Sequence, residues 1–586
     1  MSADFQKVLV KDDRLNVTDQ IKYAVMKGGQ SVTYSQFGAV SQAPSQQVYN
    51  IQVPSEQTVL SRRVDWQSTV TVSIVATIGA GVAANINVFD YGNTAALAPF
   101  PLQNACSTIQ VTINNNPVTI NMQDVMAPLL RMLDREELAL ANGYAPNAYD
   151  IALNYSDLVG NVANVLGNGN ASSDAKLYPR GAWVLDRVKV VNNATGGAAT
   201  SSPLTVAGQT GTITITATFT VTEPLMVSPF IFADPKSNNQ GIYGIQNLNF
   251  QMNIGSAARL FRFAQQSTGI TYATTISEFS NSQLKFAFLT PHPSDLMPAR
   301  NVVPYYELPR YISTNQPGIP AGSSNVYNSQ SLQLNQVPDK LIIFARKSLS
   351  SQTAYDSDSF LPISNISINW NNNAGILSSA TAQDLYAMSV ANGSNQSWYE
   401  FSGKLNAQAV VYNSTDASGA VGAFIPMCGS VLILEMGKDI QLPEDFYAPG
   451  SLGNFNLQFR ITVQNLSAST AIAANAYELV VITMNSGVFV CERGTSSTYT
   501  GILTKQDVLD ASSQEPYYRS DVQRMVGGSF LDKLKSVAAK VAPKLPGIAK
   551  AVLGNVDNPY AKGASEVLGA LGFAKPRRGK LADRMA

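Results

Sequence analysis

Residues 100–124 read FPLQNACSTIQVTINNNPVTINMQD, and residues 361–384 read LPISNISINWNNNAGILSSATAQD. Both stretches begin with a proline beside apolar residues, and both continue into an alternating pattern that predicts a half-buried strand. The alternating positions are Ile109, Val111 and Ile113 in the first copy, and Ile366 and Ile368 in the second. Each strand then reaches an asparagine-rich turn, 114–116 or 371–373. Asparagine suits such turns because its side chain hydrogen-bonds the local backbone and tolerates left-handed dihedrals.

Both copies end where a helix is predicted to begin. Asp124 is expected to cap a helix over 124–140, and Thr381 with Asp384 has the spacing of a capping box for a helix over 381–391. Pro128 is expected near the first turn of the first helix, where a missing N–H costs least.

A second pair of matching segments follows the first. Residues 241–254 (GIYGIQNLNFQMNI) and 450–463 (GSLGNFNLQFRITV) both place a glycine-containing turn before a long alternating strand. The two landmarks recur in the same order, with about 50 more residues between them in the first half. This spacing indicates duplication of a whole domain with loops of unequal length.

The rest of the chain is rich in short strand signals. They lie at 62–76, 183–191, 211–222, 245–254, 283–290, 326–335, 340–346, 363–370, 407–412, 430–436, 455–464 and 477–491. Residues 1–29 look mildly helical, and 154–175 and 192–210 read as long loops. Many short strands separated by turns favour β-sandwiches or jelly rolls over alternating strand–helix units.

Composition and charge narrow the class of protein. The 586 residues allow two to four domains, and only 14% are charged. A neutral polar surface suits a protein that packs against copies of itself. Residues 529–586 hold 11 lysines and arginines against 4 acidic residues, a net +7, so the remainder carries −7. No transmembrane run or signal peptide is expected, and Cys106, Cys428 and Cys491 are predicted to be buried free thiols.

The residues offer little for catalysis. His292 is the single histidine, so neither an HExxH metal site nor a two-histidine ligand set can form. Asp439, Glu444 and Asp445 could bind calcium in a loop, but solvated turn residues are the preferred interpretation. The sequence predicts no enzyme, no metal site and no cofactor.

Two Met-X-Gly-Gly-X segments lie near the ends of the β-rich region. They comprise Met26, Lys27, Gly28, Gly29 and Gln30, and Met525, Val526, Gly527, Gly528 and Ser529. Glycines let an extended chain enter a narrow protease cleft, so both segments are candidate cleavage sites. The alternative is a pair of flexible hinges.

The tail after Gly528 has two further candidate sites. An apolar helical stripe of Phe530, Leu531, Leu534, Val537, Ala538 and Val541 could lie on a membrane or in a partner's groove. A basic cluster of Lys575, Arg577, Arg578 and Lys580 could neutralise nucleic-acid phosphates, or could simply be a solvated terminus.

Over roughly residues 45–495 the chain resembles the double jelly-roll major capsid proteins of the adenovirus, virophage and Polinton-like virus lineage. The paired segments around Asp124 and Asp384 carry the resemblance, together with 223–250 and 429–458. It implies an all-β fold of two consecutive eight-stranded jelly rolls, with short helices in loops and a helical basic C-terminal tail. Three chains would form a pseudo-hexagonal capsomer of an icosahedral virion, with the loops 154–175 and 192–210 at its outer end.

The resemblance also implies a division of the chain and a set of partners. The expected parts are an N-terminal arm (1–44), jelly roll 1 (45–300), jelly roll 2 (301–500) and a C-terminal extension (501–586). An adenovirus-type maturation protease would cut after Gly29 and Gly528, since it prefers Met-X-Gly-Gly-X. The segment after Gly528 looks like the lytic peptide of an adenovirus internal protein, here fused to the capsid body. Other expected partners are neighbouring capsomers, penton and minor capsid proteins, and a membrane or the genome, with assembly in the host cytoplasm or nucleus.

Three alternatives stay open at this point. A single jelly-roll capsid protein of an RNA virus would carry an unrelated protruding domain in its second half. A carbohydrate-binding adhesion β-sandwich would explain the Asn/Ser/Thr-rich loops. A hydrolase on a β-scaffold would need His292 as its base.

Overall fold

The computed structural model describes residues 8–10, 23–25 and most of 31–503. The gaps within 31–503 are 83–85, 92–94, 135–137, 139–148, 152, 154–184, 194–203, 207–209, 231–240, 259, 264–266, 268, 291–299, 407–423, 443–446, 467–471 and 502.

The first half contains seventeen described strands and two short helices. The strands are β1 (Val8–Val10), β2 (Tyr23–Val25), β3 (Ser31–Gly38), β4 (Ser41–Ala43), β5 (Gln46–Gln52), β6 (Val59–Leu60), β7 (Asp65–Ile78), β8 (Ile86–Phe89), β9 (Ala95–Leu97), β10 (Cys106–Ile113), β11 (Asn116–Ile120), β12 (Leu185–Asn192), β13 (Leu204–Val206), β14 (Gly211–Pro224), β15 (Asn247–Ile254), β16 (Phe261–Phe263) and β17 (Ile270–Thr290). The helices are α1 (Pro101–Ala105) and α2 (Met122–Leu130).

The second half contains thirteen described strands and two α-helices. The strands are β18 (Arg300–Glu307), β19 (Arg310–Ser313), β20 (Ser324–Asn328), β21 (Leu332–Gln336), β22 (Lys340–Lys347), β23 (Ile363–Trp370), β24 (Asn373–Ile376), β25 (Lys404–Asn406), β26 (Phe424–Pro426), β27 (Leu432–Glu435), β28 (Leu452–Gln464), β29 (Tyr477–Glu492) and β30 (Thr495–Thr500). The helices are α3 (Ala382–Ala391) and α4 (Trp398–Ser402), and a 3₁₀ turn spans Leu349–Ser351.

The two halves build the same pair of antiparallel sheets. The first half orders one sheet β3-β17-β7-β14-β12 and the other β4-β5-β15-β10-β11. The second half orders its sheets β18-β29-β22-β27 and β20-β28-β23-β24, with β19, β30 and β21 as additional pairings. Each half is therefore a jelly roll, called here jelly roll 1 and jelly roll 2. The alternative of an unrelated second domain is wrong, because the strand order repeats.

The two sequence landmarks of each half pair with one another in the same register. Val111 lies opposite Phe250, and Ile368 lies opposite Phe459. Both positions stand three residues before the turn asparagine. Asn114 and Asn371 have positive φ angles of 54° and 50°, and their side-chain oxygens accept the backbone N–H groups of Gln246 and Asn456, respectively, at 2.8 Å. The repeat seen in the sequence is therefore also present in the structure.

Alternation along the strands builds the cores. In β7 every second side chain is buried between the sheets, starting at Trp66, while the intervening residues face outward. In β22, by contrast, both faces are buried: Leu341 and Ile343 belong to the core of jelly roll 2, whereas Ile342 and Phe344 join the core of jelly roll 1. The second jelly roll therefore packs the outside of one sheet against the first.

Several local predictions are corrected. Helix α2 starts at Met122 and ends at Leu130, well short of 140, and Pro128 is its seventh residue rather than part of its first turn. The helix ends early because the chain closes in tight turns, with the N–H of Arg131 donating to the Pro128 carbonyl. The mildly helical prediction for 1–29 is wrong in its two described segments, since β1 and β2 form an antiparallel pair.

Other local predictions have different outcomes. Helix α3 begins with the predicted capping box of Thr381 and Asp384. The predicted strand 326–335 is two strands, β20 and β21, whereas the short helix α4 was not predicted. The loop expected over 192–210 contains β13, and the loop 154–175 and the strand 407–412 lie outside the described residues.

Candidate assembly site at the seam between the jelly rolls

The two jelly rolls meet along one extended contact, called here the seam. It comprises α2, Arg131, Asp150 and Arg262 of jelly roll 1, and β19, β22, β29 and Asp358 of jelly roll 2. Its apolar part is the outer face of the β22–β29 pair, where the side chains of Ile342, Phe344, Val480 and Ile482 are fully buried. Burial of this face is worth about 1.5–3 kcal/mol for each large apolar side chain.

A buried ion-pair group spans the seam. The side chain of Asp124 is 1% exposed and pairs with both Arg346 and Arg310. Arg346 also donates from Nε to Glu478 Oε1 at 2.8 Å and from Nη1 to the Gln123 carbonyl at 3.2 Å. Two carboxylates and two guanidinium groups balance in charge, which limits the cost of burying them.

A second buried group lies beyond the C-terminus of α2. Arg131 Nη2 donates to the carbonyls of Asp150 and Asp358, at 2.8 and 2.7 Å. The guanidinium of Arg262 lies 3.5 Å from Asp150 Oδ2 and 3.2 Å from Asp358 Oδ1. Arg131 also lies over the ring of Phe360, at 4.7 Å from its centroid. Because Asp358 belongs to jelly roll 2, these contacts tie the two halves together.

Hydrogen bonds to backbone carbonyls also connect the two jelly rolls. Ser496 Oγ donates to the Ile113 carbonyl at 2.6 Å, and the Gly494 N–H donates to the Gly244 carbonyl at 3.0 Å. The Asn395 N–H donates to the Arg131 carbonyl at 2.7 Å. Directional bonds of this kind fix the relative orientation of the jelly rolls, which apolar packing alone leaves freer.

The prediction that Asp124 caps α2 is wrong. The N-cap residue is Asn121, and no side chain bonds the first N–H groups there. Asp124 faces jelly roll 2 instead, and its partner Arg346 is 222 residues away in sequence. No local pattern could have revealed this pairing, nor the roles of Arg131, Arg262 and Asp358. The one available signal was that Asp124 stands at the repeated position.

The three cysteines and Glu223 are buried titratable groups. All three cysteines are free and buried, as predicted. Burial raises the pKa of Cys428 to about 11. Glu223 is buried beneath α1, where it accepts the Leu102 and Gln103 N–H groups at 2.8 and 3.1 Å, and burial raises its pKa to about 7.

Acidic clusters and long apolar helices are the candidates for metal and membrane sites within the described ranges. Over those residues no three His, Cys, Asp or Glu side chains come together as a metal site. No helix of the described chain is long and apolar enough to cross a membrane. Asp439 accepts the Glu435 N–H at 2.8 Å within a turn, whereas Glu444, Asp445 and His292 lie outside the described residues.

The predicted cleavage and tail sites also lie outside the described residues. This applies to 26–30 and 525–529, to the apolar stripe within 530–541 and to the basic cluster within 575–580. These four assignments stay predictions.

Comparison with known proteins relates both halves to viral capsids. Residues 3–289 match the family described as Sputnik virophage major capsid protein 1st domain, and residues 308–487 match the major capsid protein V20 C-terminal domain. The chain is 30% identical to capsid protein V20 of Sputnik virophage over 597 aligned positions, which cover 98% of this chain and 94% of that protein.

Solved structures agree with this relationship. A chain in the cryo-EM structure of the Sputnik virophage superposes with a TM-score of 0.70 at 26% identity, covering 89% of this chain and 98% of that one. The mavirus major capsid protein shares the fold, with a TM-score of 0.61 at 17% identity and coverage of 88% and 98%. The chain thus contains two jelly rolls joined by a buried seam, and it matches a curated relative over 98% of its length. The chain belongs to the Sputnik virophage major capsid protein family and is a double jelly-roll protein of the virion shell.

Proposed function

We propose that three copies of this chain form a pseudo-hexagonal capsomer, the repeating unit of an icosahedral shell, and that its role is structural rather than catalytic. The observation that carries the proposal is the repeated register of the Asn114 and Asn371 turns in two jelly rolls joined by a buried seam. One chain thereby supplies two equivalent wall units, so three chains supply six. Neighbouring capsomers, penton proteins and minor capsid proteins are the proposed further partners.

The native mass tests this proposal. A trimer of the 62.7 kDa chain has a mass of about 188 kDa. Native mass spectrometry and analytical ultracentrifugation at moderate salt should find this species or its multiples. A monomer at every accessible concentration would contradict it.

We also propose that the N-terminal arm and the extension (501–586) leave jelly roll 1 and jelly roll 2 toward the capsid interior. The expected arm (1–44) shortens to the residues before Ser31, because β3 and β4 pair within the sheets of jelly roll 1. Ser31 is the first residue of β3 and lies opposite Thr290 of β17. The adjoining part of β17 also pairs with β6. Strand β6 in turn forms a bridge to Ile242, just before the turn at Gly244. At the other end, the Leu503 N–H donates to the carbonyl of Gly450 in the turn before β28. These contacts support exits beside the repeated turns, where residues 529–586, with a net charge of +7, could meet a membrane or the genome.

Cleavage after Gly29 and Gly528 by an adenovirus-type protease is part of the same proposal. Strand β2 ends at Val25 and β3 begins at Ser31, so a cut between them would leave the ladder of jelly roll 1 intact. Co-expression with such a protease should shorten the chain to residues 30–528, as read by intact mass. Gly528→Val should block only the C-terminal cut. An unchanged mass of the wild-type chain would refute the proposal.

A further inference from the structure

Helices α2 and α3 occupy equivalent places in the repeat. Gln123 and Asp124 align with Gln383 and Asp384, and Ala127 aligns with Ala387. The residue after each aspartate, Val125 or Leu385, is buried in the core of its own jelly roll. Because side chains three or four residues apart share a helix face, the aspartate and alanine lie on the opposite, outer face of both helices.

The outer face of α2 is covered, whereas that of α3 is not. Jelly roll 2 covers Asp124 through Arg310 and Arg346, and Leu130 on the same helix is only 1% exposed. On α3 the matching residues are open within the described chain. Val390, which aligns with Leu130, is 44% exposed, and Asp384, Ala387 and Ala391 are exposed as well.

Within the described chain, the sheet face that would complement α3 is partly exposed. In jelly roll 2 the β22–β29 pair covers α2. Its equivalent in jelly roll 1 is the β7–β17 pair. Each pair joins the last long strand before the repeated segment to the last long strand of that half. The outer face of β7 and its neighbour β14 carries threonines joined across the strands. The hydroxyls of Thr69 and Thr220 are 3.0 Å apart, and those of Thr71 and Thr218 are 3.3 Å apart.

We propose that the outer face of α3 docks on the outer face of β7, β14 and β17 of a second copy of this chain. The chain already contains one such helix-on-sheet contact, at the seam, and among the described residues one helix face and one sheet face lie outside it. A head-to-tail contact between unlike faces of identical subunits can close into a ring. This inference rests on the proposed trimer and identifies the surfaces that join its copies.

The chemistry of the two open faces suits a contact made after folding. The seam combines apolar packing with buried ion pairs, and both parts become buried when the chain folds. The open faces carry small and polar side chains, including Asp384 and Ala387 on α3 and the paired threonines on β7 and β14. Trp398 supplies an aromatic anchor beside α3, since it is 38% exposed and its ring lies 5.3 Å from that of Tyr386. Exposed tryptophans of this kind are frequent interface hot spots.

Photo-cross-linking can identify the docking surface directly. Gln383→p-benzoyl-L-phenylalanine places a photoreactive group on the exposed face of α3. Full-length chains in light and heavy isotopic forms would be co-assembled, irradiated and analysed by peptide mass spectrometry. Mixed light–heavy peptides should map to 65–78, 211–224 or 270–290. Mixed peptides that map only to other segments would overturn the inference.

Substitution of Val390 provides a second readout. Val390→Glu would place an unpaired charge in the contact and should raise the dissociation constant of the trimer at least about tenfold. Val390→Thr keeps the shape and should assemble like the wild type. Since Val390 is exposed in the monomer, both variants should have the wild-type thermal midpoint as monomers. A Val390→Glu chain that assembles normally refutes this docking surface alone, whereas a monomeric wild type refutes the proposed trimer as well.

Discussion

Replacing Asp124 with asparagine should weaken the seam selectively. The substitution keeps the shape of the side chain but removes the negative charge between Arg346 and Arg310, whose side chains are 6% and 29% exposed. Breaking a buried ion pair by removing one partner costs about 3–5 kcal/mol. Arg346 retains Glu478 at 2.8 Å and Arg310 reaches solvent, so the lower value of about 3 kcal/mol applies. For a unit of 150–250 residues this corresponds to a thermal midpoint lower by about 6–12 °C.

The repeat provides a matched control for this experiment. Asp384→Asn makes the same chemical change at the equivalent helix position, but Asp384 is exposed, and its carboxylate accepts hydrogen bonds from its capping partner Thr381. Differential scanning calorimetry on monomeric protein at low concentration should show a much larger loss for Asp124→Asn. Hydrogen exchange should also increase in β22 and β29, which face Asp124 across the seam. Equal midpoints for the two variants would refute the assignment of Asp124 to a stabilising contact between the jelly rolls.

Glu223 should make stability depend on pH, because burial raises its pKa from 4.5 to about 7. This contribution is fully present below pH 4.5 and is lost as the pH rises through about 7, so the urea midpoint should fall over that range and Glu223→Gln should flatten the profile. Replacing Asn114 or Asn371 with alanine should cost about 1–2 kcal/mol at either site, since both have left-handed backbones. Glycine at these positions should restore the backbone part of the loss in urea titrations, but not the hydrogen bond that each asparagine oxygen accepts. A loss confined to one half would contradict the equivalence of the two turns. The buried thiols, including Cys428 with its pKa of about 11, should stay unreactive toward a thiol reagent at pH 7 until denaturant is added. Labelling of the native chain would contradict this.

The alternating strands, the turns and the capped helix could be predicted because each depends on neighbours in sequence. The period of two in β10 and β23 reports which side chains face a core, and Asn114 and Asn371 mark turns through their own backbone preferences. Thr381 caps α3 through a residue three positions away. The duplicated plan itself was visible because both halves keep the same order of such local signals. The family resemblance rested on this order.

The contacts between the jelly rolls could not be predicted in the same way. Asp124 and Asp384 occupy equivalent positions, each after a glutamine and three residues before an alanine, and local reasoning assigned both to helix capping. Only Asp384 has that role, because the outer sheet face of jelly roll 2 covers α2 and brings Arg346 to Asp124.

The sequence by itself therefore determined two jelly rolls with equivalent turns and helices. The tertiary structure alone decided which helix face is buried against the other jelly roll and which stays exposed in the described chain. The physical reason is that ion pairing and burial depend on distances in space, and here the partners are separated by more than two hundred residues of chain.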